Sequence, residues 1–177
     1  MSTGAASSGN PPALAGHEVY LGLGGNLGDR DALLRAAVER LRAAVTVTAA
    51  SSIYDTEPLL VTDQPRFHNV VLAGTTALDP LALLRAAKAI ERELGRVPGP
   101  RYGPRSIDID LLFYDDLRLH GDELTLPHPR IAERAFVLAP LAEIAPRRAL
   151  PVLAATPEEL LRALGAADVR RLGPLFP

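Results

Sequence analysis

Cysteine is absent from all 177 residues, which excludes disulfides, thiolate metal sites and a thiol nucleophile. That absence fits a reducing compartment, and a cytoplasmic location is expected. Tryptophan is absent too, and aromatic residues make up only 5% of the chain, so the position of each Phe and Tyr is informative. Neither sign of charge dominates. Nineteen Lys and Arg against 21 Asp and Glu leave a net charge of −2, with no global field to draw in nucleic acid or an anionic membrane. An anionic substrate must therefore be met by locally clustered cations. No apolar run approaches the ~20 residues of a membrane span. The start, Met1 to Ala15, has neither the basic residues nor the apolar stretch of a secretory signal. What is present is an ordinary globular composition, 47% hydrophobic and 23% charged, at a length of roughly one domain. Residues 1–18 are expected to form a flexible tail and residues 19–177 a single domain.

Val19, Leu21 and Leu23 alternate as in a half-buried strand, which runs into Gly24-Gly25-Asn26-Leu27-Gly28. A helix follows, with Asp29 or Asp31 as its cap and Leu33, Leu34, Ala37, Val38 and Leu41 at helical spacing. The β-branched content of Val45 to Tyr54 predicts a second strand, and Phe67 to Thr76 a third. Asp79-Pro80 opens a second helix that stops at Gly95. A loop rich in Pro, Gly and Arg spans Arg96 to Arg105. It leads into a strong strand from Ile107 to Tyr114. Asp115-Asp116 suggests a hairpin into Leu117 to Leu119, and Leu124 to Leu126 a further short strand. Thr156-Pro157-Glu158-Glu159 reads as a capping box for a helix through Leu164. The order β-α-β-β-α-β, with short elements appended, predicts an α+β fold: a ferredoxin-like, mostly antiparallel sheet with packed helices in three α/β/α layers.

Chemistry concentrates near the middle of the chain. Asp108 and Asp110 stand two apart on a predicted strand, so both side chains leave one face while Ile107, Ile109 and Leu111 anchor the other. Two carboxylates about 7 Å apart repel unless a cation sits between them. Ligands of oxygen alone favour Mg²⁺ or Mn²⁺ over zinc. An isolated Asp-x-Asp also fits a solvated strand face, and spacing alone does not separate the two. The preceding loop shifts the balance. Arg92, Arg96, Arg101 and Arg105 supply planar donors suited to phosphate oxygens, and a Pro/Gly-rich loop of this length is suited to act as a lid. The glycine run at residues 24–28 matches neither the P-loop nor the dinucleotide pattern and reads better as a tight turn. Taken singly, Phe67 and Phe136 also fit a core role. His128 is held between Pro127 and Pro129, whereas His17, His68 and His120 are expected to be surface or structural.

In order along the chain, these segments resemble the 6-hydroxymethyl-7,8-dihydropterin pyrophosphokinase family of folate biosynthesis. The resemblance rests on Leu23-Gly24-Gly25-Asn26-Leu27-Gly28-Asp29, Ser52-Ile53-Tyr54-Asp55-Thr56-Glu57-Pro58 and Asp63-Gln64-Pro65-Arg66-Phe67-His68-Asn69. It is strongest at Arg101-Tyr102-Gly103-Pro104-Arg105-Ser106-Ile107-Asp108-Ile109-Asp110, and continues through Leu126-Pro127-His128-Pro129-Arg130 and Arg134-Ala135-Phe136. It implies Mg²⁺-dependent transfer of pyrophosphate from ATP to the pterin's hydroxymethyl oxygen, giving AMP. In those terms Asp108 and Asp110 would ligate two Mg²⁺ ions, and Arg96 and Arg105 would stabilise charge during transfer. Lys88, Glu91, Arg96, Tyr102, Arg105, Leu111, Thr125, His128 and Arg134 would line the ATP site. Phe67 and Phe136 would sandwich the pterin ring, with Asn69, Thr56, Pro58 and Leu59 along its edge. ATP and the pterin are the partners implied, with no nucleic acid or membrane, and with the chain a monomer or weak homodimer.

The chain departs from the commoner pattern of that family at several points. Gly25 stands where Ser is usual, Leu60 where Gly often stands, Tyr102 for Trp, and Lys88 where Gln is frequent. Pro98 and Glu123 occupy positions where some members carry Arg. Two rival readings remain to be set against the structure. A nucleic-acid-binding ferredoxin-like module would want surface aromatics and a basic face on its sheet. A Mg²⁺-dependent enzyme with another acceptor would share the acids and arginines but have no need of Phe67, Asn69 and Phe136.

Overall fold

A computed structural model describes residues 16–165 and 167–177. The chain orders β1 (His17–Gly25), α1 (Arg30–Leu41), β2 (Thr46–Ala50), β3 (Ser52–Thr56), β4 (Phe67–Thr76), α2 (Pro80–Glu93) and β5 (Asp108–Tyr114). Then come β6 (Leu119–His120), β7 (Thr125–Leu126), a 3₁₀ turn (Ile131–Glu133), α3 (Ala135–Ile144), α4 (Pro157–Leu164) and β8 (Val169–Pro174). The main sheet runs β5-β1-β4-β3-β8, with every pairing antiparallel and β2 also pairing β4. The α+β, ferredoxin-like expectation agrees with this arrangement.

Both expected helix starts are observed, each for the same local reason. Asp29 accepts from Ala32 N and Asp79 from Ala82 N, each satisfying a donor that the helix itself leaves unpaired. Pro80 occupies the first turn of α2, where a missing N–H costs nothing. The capping box at Thr156 and Glu159 is also formed.

Alternation along the strands divides the core in two. Val19, Leu21, Leu23, Ile109 and Leu111 face α1 and α2, meeting Leu34, Val38, Leu83 and Ile90. Tyr20, Val71, Leu112 and Phe113 face the other way, against Leu138 and Leu141 of α3. Three layers result. Leu21 pairs with Leu111 and Tyr20 with Phe113, so Leu112 is a bulge residue. The bulge returns Tyr114 to the first core while leaving Asp108 and Asp110 on the α3 side.

Four expectations are corrected. The tail expected over residues 1–18 gives way at its inner end to β1, which begins at His17; residues 1–15 lie outside the described residues. The strand expected over Val45 to Tyr54 is two strands, broken at Ser51. Ser51 N donates to Val71 O and its hydroxyl accepts from Val71 N, so the side chain takes over a ladder bond. The small hairpin pairs Leu119–His120 with Thr125–Leu126, shifted from Leu117 to Leu119. Finally, α3 and β8 were not anticipated. β8 adds an edge strand beside β3, so the last part of the chain contributes to the sheet.

Candidate active site

Period-two alternation on β5 carries Asp108 and Asp110 to one side of the sheet, where both line a cavity of about 260 Å³. Asp108 is ringed by cations. Arg96 Nη1 bonds its Oδ1, Arg105 Nη1 lies 2.8 Å from Oδ2, and Lys88 Nζ is 3.6 Å from Oδ1. Beneath them sits Glu91, only 3% exposed, one residue beyond the apolar stripe of α2. Glu91 accepts from Lys88 at 2.7 Å, Arg96 at 2.6 Å and Ile109 N at 2.6 Å, fixing both cations against β5.

The two aspartates are electrostatically unlike. Burial pushes the Asp108 carboxyl up, but Lys88, Arg96 and Arg105 outweigh it and hold it below its ordinary value. Asp110 goes the other way: burial first, then the neighbouring Asp108 charge, raise it. Asp108 is ion-paired, whereas among the described residues Asp110 has no cation within ion-pair distance and feels Lys88, Arg134 and Arg96 only from farther off. No group of three or more His, Cys, Asp or Glu able to hold a metal occurs among the described residues; the adjacent pair of carboxylates on the cavity wall is Asp108 and Asp110. Two hard oxygen ligands fit Mg²⁺, which keeps several waters and takes one or two carboxylates together with substrate phosphates.

Arg134, just ahead of α3, lines the same cavity, and its buried Nε has no hydrogen-bond partner. The Arg105 Nε is orphaned in the same way. Burial lowers the Arg134 pKa, against the Asp110 charge, yet a guanidinium stays protonated. Lys88, Arg96, Arg105 and Arg134 together face Glu91, Asp108 and Asp110, an excess of positive charge suited to a polyphosphate. His128 donates its backbone N–H to Leu112 O at 2.9 Å. Burial, then Arg134, push its imidazole down to about 4, so it is neutral at neutral pH.

At the other end of the cavity are the aromatic rings. Phe67 comes from the start of β4 and Phe136 from the first turn of α3, and both line the cavity. Each has a guanidinium carbon 5.6 Å from its ring centroid, Arg105 over Phe67 and Arg134 over Phe136. Asn69, pointing to the same side of β4 as Phe67, donates to Thr56 Oγ1 at 2.8 Å across the β3–β4 pair. A Cβ at Gly24 would stand 2.3 Å from Asn69 Oδ1, so glycine is required for Asn69 to lie there. Leu59 completes this side.

The structure thus brings Arg105, Asp108, Asp110, Tyr102, His128, Arg134, Thr56, Leu59, Phe67, Asn69 and Phe136 around one cavity. Arg96, Lys88 and Glu91 do not line it but support Asp108 from behind. Pro58 is buried and off the cavity wall, and Thr125 lies on β7 outside it. The Leu111 side chain is in the core on the opposite face, which leaves only its backbone available. Of the four loop arginines, Arg92 is exposed on the last turn of α2, and Arg101 packs on the Tyr102 ring, 5.1 Å from its centroid.

Asn26 and Gln64 were given no role from sequence, although both lie in segments that carry the resemblance. The glycine turn receives another loop. A Cβ at Gly25 would fall 2.1 Å from Ser106 O, and Asn26 N and Leu27 N both donate to Arg105 O, at 2.9 and 3.2 Å.

Comparison with known proteins bears on the family and the fold. The sequence profile described as 7,8-dihydro-6-hydroxymethylpterin-pyrophosphokinase (HPPK) matches residues 20–146. The "2-amino-4-hydroxy-6-hydroxymethyldihydropteridine pyrophosphokinase" of Bacillus subtilis (strain 168) is 49% identical over 127 residues, 71% of this chain and 76% of that protein. The mitochondrial "Folate synthesis bifunctional protein" of Arabidopsis thaliana is 48% identical over 129 residues, 72% of this chain; the chain spans 23% of that longer protein. A crystal structure of Plasmodium falciparum wild-type HPPK-DHPS with SDX-DHP superposes with a TM-score of 0.64 at 18% identity, over 83% of this chain and 43% of that one, and so shares the fold. The profile match and the Bacillus relative establish that this chain belongs to the 7,8-dihydro-6-hydroxymethylpterin-pyrophosphokinase family.

Proposed function

We propose that the protein transfers pyrophosphate from ATP to the hydroxymethyl oxygen of 6-hydroxymethyl-7,8-dihydropterin, releasing AMP, as a step of folate biosynthesis. One observation carries this reading. Two inward carboxylates lie on one cavity with Arg105 and Arg134, backed by Lys88 and Arg96, and the same cavity is walled by Phe67, Phe136, Asn69 and Thr56. The acidic and basic groups suit a metal-bound triphosphate; the two rings and the amide suit a flat heterocycle with hydrogen-bonding edges.

The hydroxymethyl oxygen forms a bond to the β-phosphorus while the bond from that phosphorus to the α–β bridging oxygen breaks, and the hydroxyl proton is released. AMP departs with the bridging oxygen. Phosphoryl chemistry of this kind needs alignment and charge neutralisation more than covalent catalysis. Asp108 and Asp110 are the residues that would hold Mg²⁺, which supplies positive charge to the phosphate oxygens when bound. Arg105 and Arg134 present donors to the same oxygens, and each has a buried Nε–H whose donor capacity is unused within the protein. Arg96 and Lys88, locked by Glu91, keep Asp108 ionised and oriented. A neutral His128 offers a hydrogen bond without adding charge.

No helix among the described residues is long and apolar enough to cross a membrane. We assign the enzyme to the cytoplasm as a monomer or weak homodimer. The test is incubation with ATP, Mg²⁺ and the hydroxymethyl pterin, with separation of the nucleotides. AMP and a pterin diphosphate in equal amounts are expected, and none without Mg²⁺. Release of ADP, or diphosphorylation of an unrelated alcohol at equal rate, rules the reading out.

A further inference from the structure

Asn26 is 2% exposed, lies off the cavity wall, and spends its side chain on two other loops. Its Nδ2 donates to Gln64 Oε1 at 3.0 Å and to Pro65 O at 2.9 Å; its Oδ1 accepts from Arg105 N at 2.9 Å. Its backbone N–H returns a bond to Arg105 O, so Asn26 and Arg105 pair in both directions. Gln64 continues the chain of bonds. Its Nε2 donates to Val61 O at 2.7 Å and to Tyr102 O at 2.9 Å.

Two side-chain amides therefore tie together the turn after β1, the loop before Phe67 and the loop that carries Tyr102 and Arg105. Both amides have their donors and acceptors engaged within the protein, and a buried amide so satisfied is costly to displace. Gly25 makes the junction possible, because any side chain there would collide with Ser106 O. The consequence lies in what the loops carry. Phe67, three residues beyond Gln64, forms one wall of the ring end; Arg105, bonded to Asn26, reaches Asp108 at the acidic end. Among the described residues no other side-chain amide bonds the two loops.

Resting on the pterin and ATP reading above, we infer that Asn26 and Gln64 form a positioning bridge that sets the distance and angle between the heterocycle-holding end and the phosphate-holding end. Asn26 lies off the cavity wall and Gln64 on it, but the Gln64 amide is bonded at both ends within the protein, to Asn26, Val61 O and Tyr102 O, so neither residue needs to touch a reacting atom. Each substrate is held by its own set of groups, and the bridge fixes one set relative to the other. Loosening it leaves each substrate bound but misaligned with its partner. In-line transfer is sensitive to such displacement: a misplacement of about 1 Å can cost on the order of 100-fold in rate.

The experiment compares wild type with Asn26→Ala, Gln64→Met and the double variant. It reads the single-turnover rate with both substrates, the Kd of the pterin alone, and the Kd of a non-hydrolysable ATP analogue with Mg²⁺ alone. Expected is a fall of roughly 10- to 100-fold in the single-turnover rate with each Kd within about threefold of wild type. Residues acting as one unit are non-additive, so the double variant should fall no more than about twofold below the worse single. Gln64 is only half-buried, so Gln64→Met decides the question even if Asn26→Ala does not fold. A Gln64→Met rate within threefold of wild type, a loss confined to Kd, or multiplying effects in the double variant overturns the bridge. Wild-type protein that makes no pterin diphosphate overturns the function and the bridge together; active wild type with unimpaired variants overturns the bridge alone.

Discussion

Arg105 Nη1 lies 2.8 Å from Asp108 Oδ2 while the same guanidinium stands over the ring of Phe67, its central carbon 5.6 Å from the centroid. One side chain thus spans the acidic and aromatic ends of the cavity. A lysine keeps the charge but has neither the planar face for the ring nor the fork for two oxygens. Arg105→Lys is expected to lower kcat by roughly 100-fold, the scale of losing one charge-stabilising donor. The ring contact is worth about 0.5–1 kcal/mol, so pterin affinity should fall only a few-fold. Steady-state kinetics with a direct pterin titration checks both, and a Lys variant retaining a third of wild-type kcat contradicts the role.

Asp108 and Asp110 should respond oppositely in stability although the proposed reaction needs both. Asp108 satisfies Lys88, Arg96 and Arg105, so Asp108→Asn leaves three cations facing one another across a neutral amide. Asp110 is buried beside a like charge, and Asp110→Asn removes that repulsion. Without ligands, the melting temperature should drop for Asp108→Asn and hold or rise for Asp110→Asn, with activity nearly abolished in both. Equal destabilisation by the two amides would show that the asymmetry is absent.

The faces of β5 were legible because strand periodicity is local: apolar residues at 107, 109 and 111 require the acids between them to face the other way. Helix starts at Asp29 and Asp79 were legible for the same reason, since a cap satisfies a donor three residues on. What was not legible depends on distant partners. The break at Ser51 exists because its hydroxyl bonds Val71, twenty residues away. The Asn26 bridge joins residues 38 and 79 positions apart. α3 carries Pro140 inside it and starts at Arg134 with no side-chain cap, so the usual start and stop signals are missing. β8, with Arg170, Arg171, Gly173 and Pro174, has no apolar alternation and is held by pairing with β3. The pairing of Phe67 with Phe136 on one cavity came through the family resemblance alone, because no local signal shows that α3 folds back over the sheet.

Glu143 gives a pH dependence remote from the catalytic groups. Burial raises its pKa, but Ser52 Oγ at 2.8 Å, the Tyr54 hydroxyl, Ser52 N at 3.0 Å and Arg171 outweigh that and depress it. A carboxyl depressed on folding contributes stability above its unfolded pKa, and that contribution is lost as pH falls through the folded value. Urea stability should therefore decline as pH is lowered from about 4.5, the ordinary glutamate value, with Glu143 accounting for part of the slope. Glu143→Gln should flatten that part while changing kcat little at neutral pH. A slope identical in the variant would exclude Glu143 as a contributor.

Arg66 precedes Phe67 and points to the opposite side of the sheet, into a cluster of acids. Its Nε is 2.5 Å from Asp55 Oδ2, and its Nη1 reaches Asp168 at 2.9 Å and Glu57 at 3.2 Å. Arg30 bonds the Arg66 carbonyl at 2.8 Å, and His68 Nδ1 lies 2.6 Å from Asp31, so both neighbours of Phe67 are anchored behind the ring wall. Asp55 is the least exposed of Arg66's three carboxylates, whereas Glu57 is largely solvated, and exposed ion pairs contribute about 0–1 kcal/mol. The anchor is therefore chiefly the Asp55 contact. Arg66→Ala should raise the pterin KM several-fold, with the ATP KM and kcat within about threefold, because the ring wall loosens while the acidic end stays in place. Asp55→Ala should reproduce that pattern, and Glu57→Ala should not. Initial-rate measurements with each substrate varied in turn check this, and an Arg66→Ala variant whose ATP KM rises as much as its pterin KM would mean that the cluster supports the whole domain rather than the ring wall.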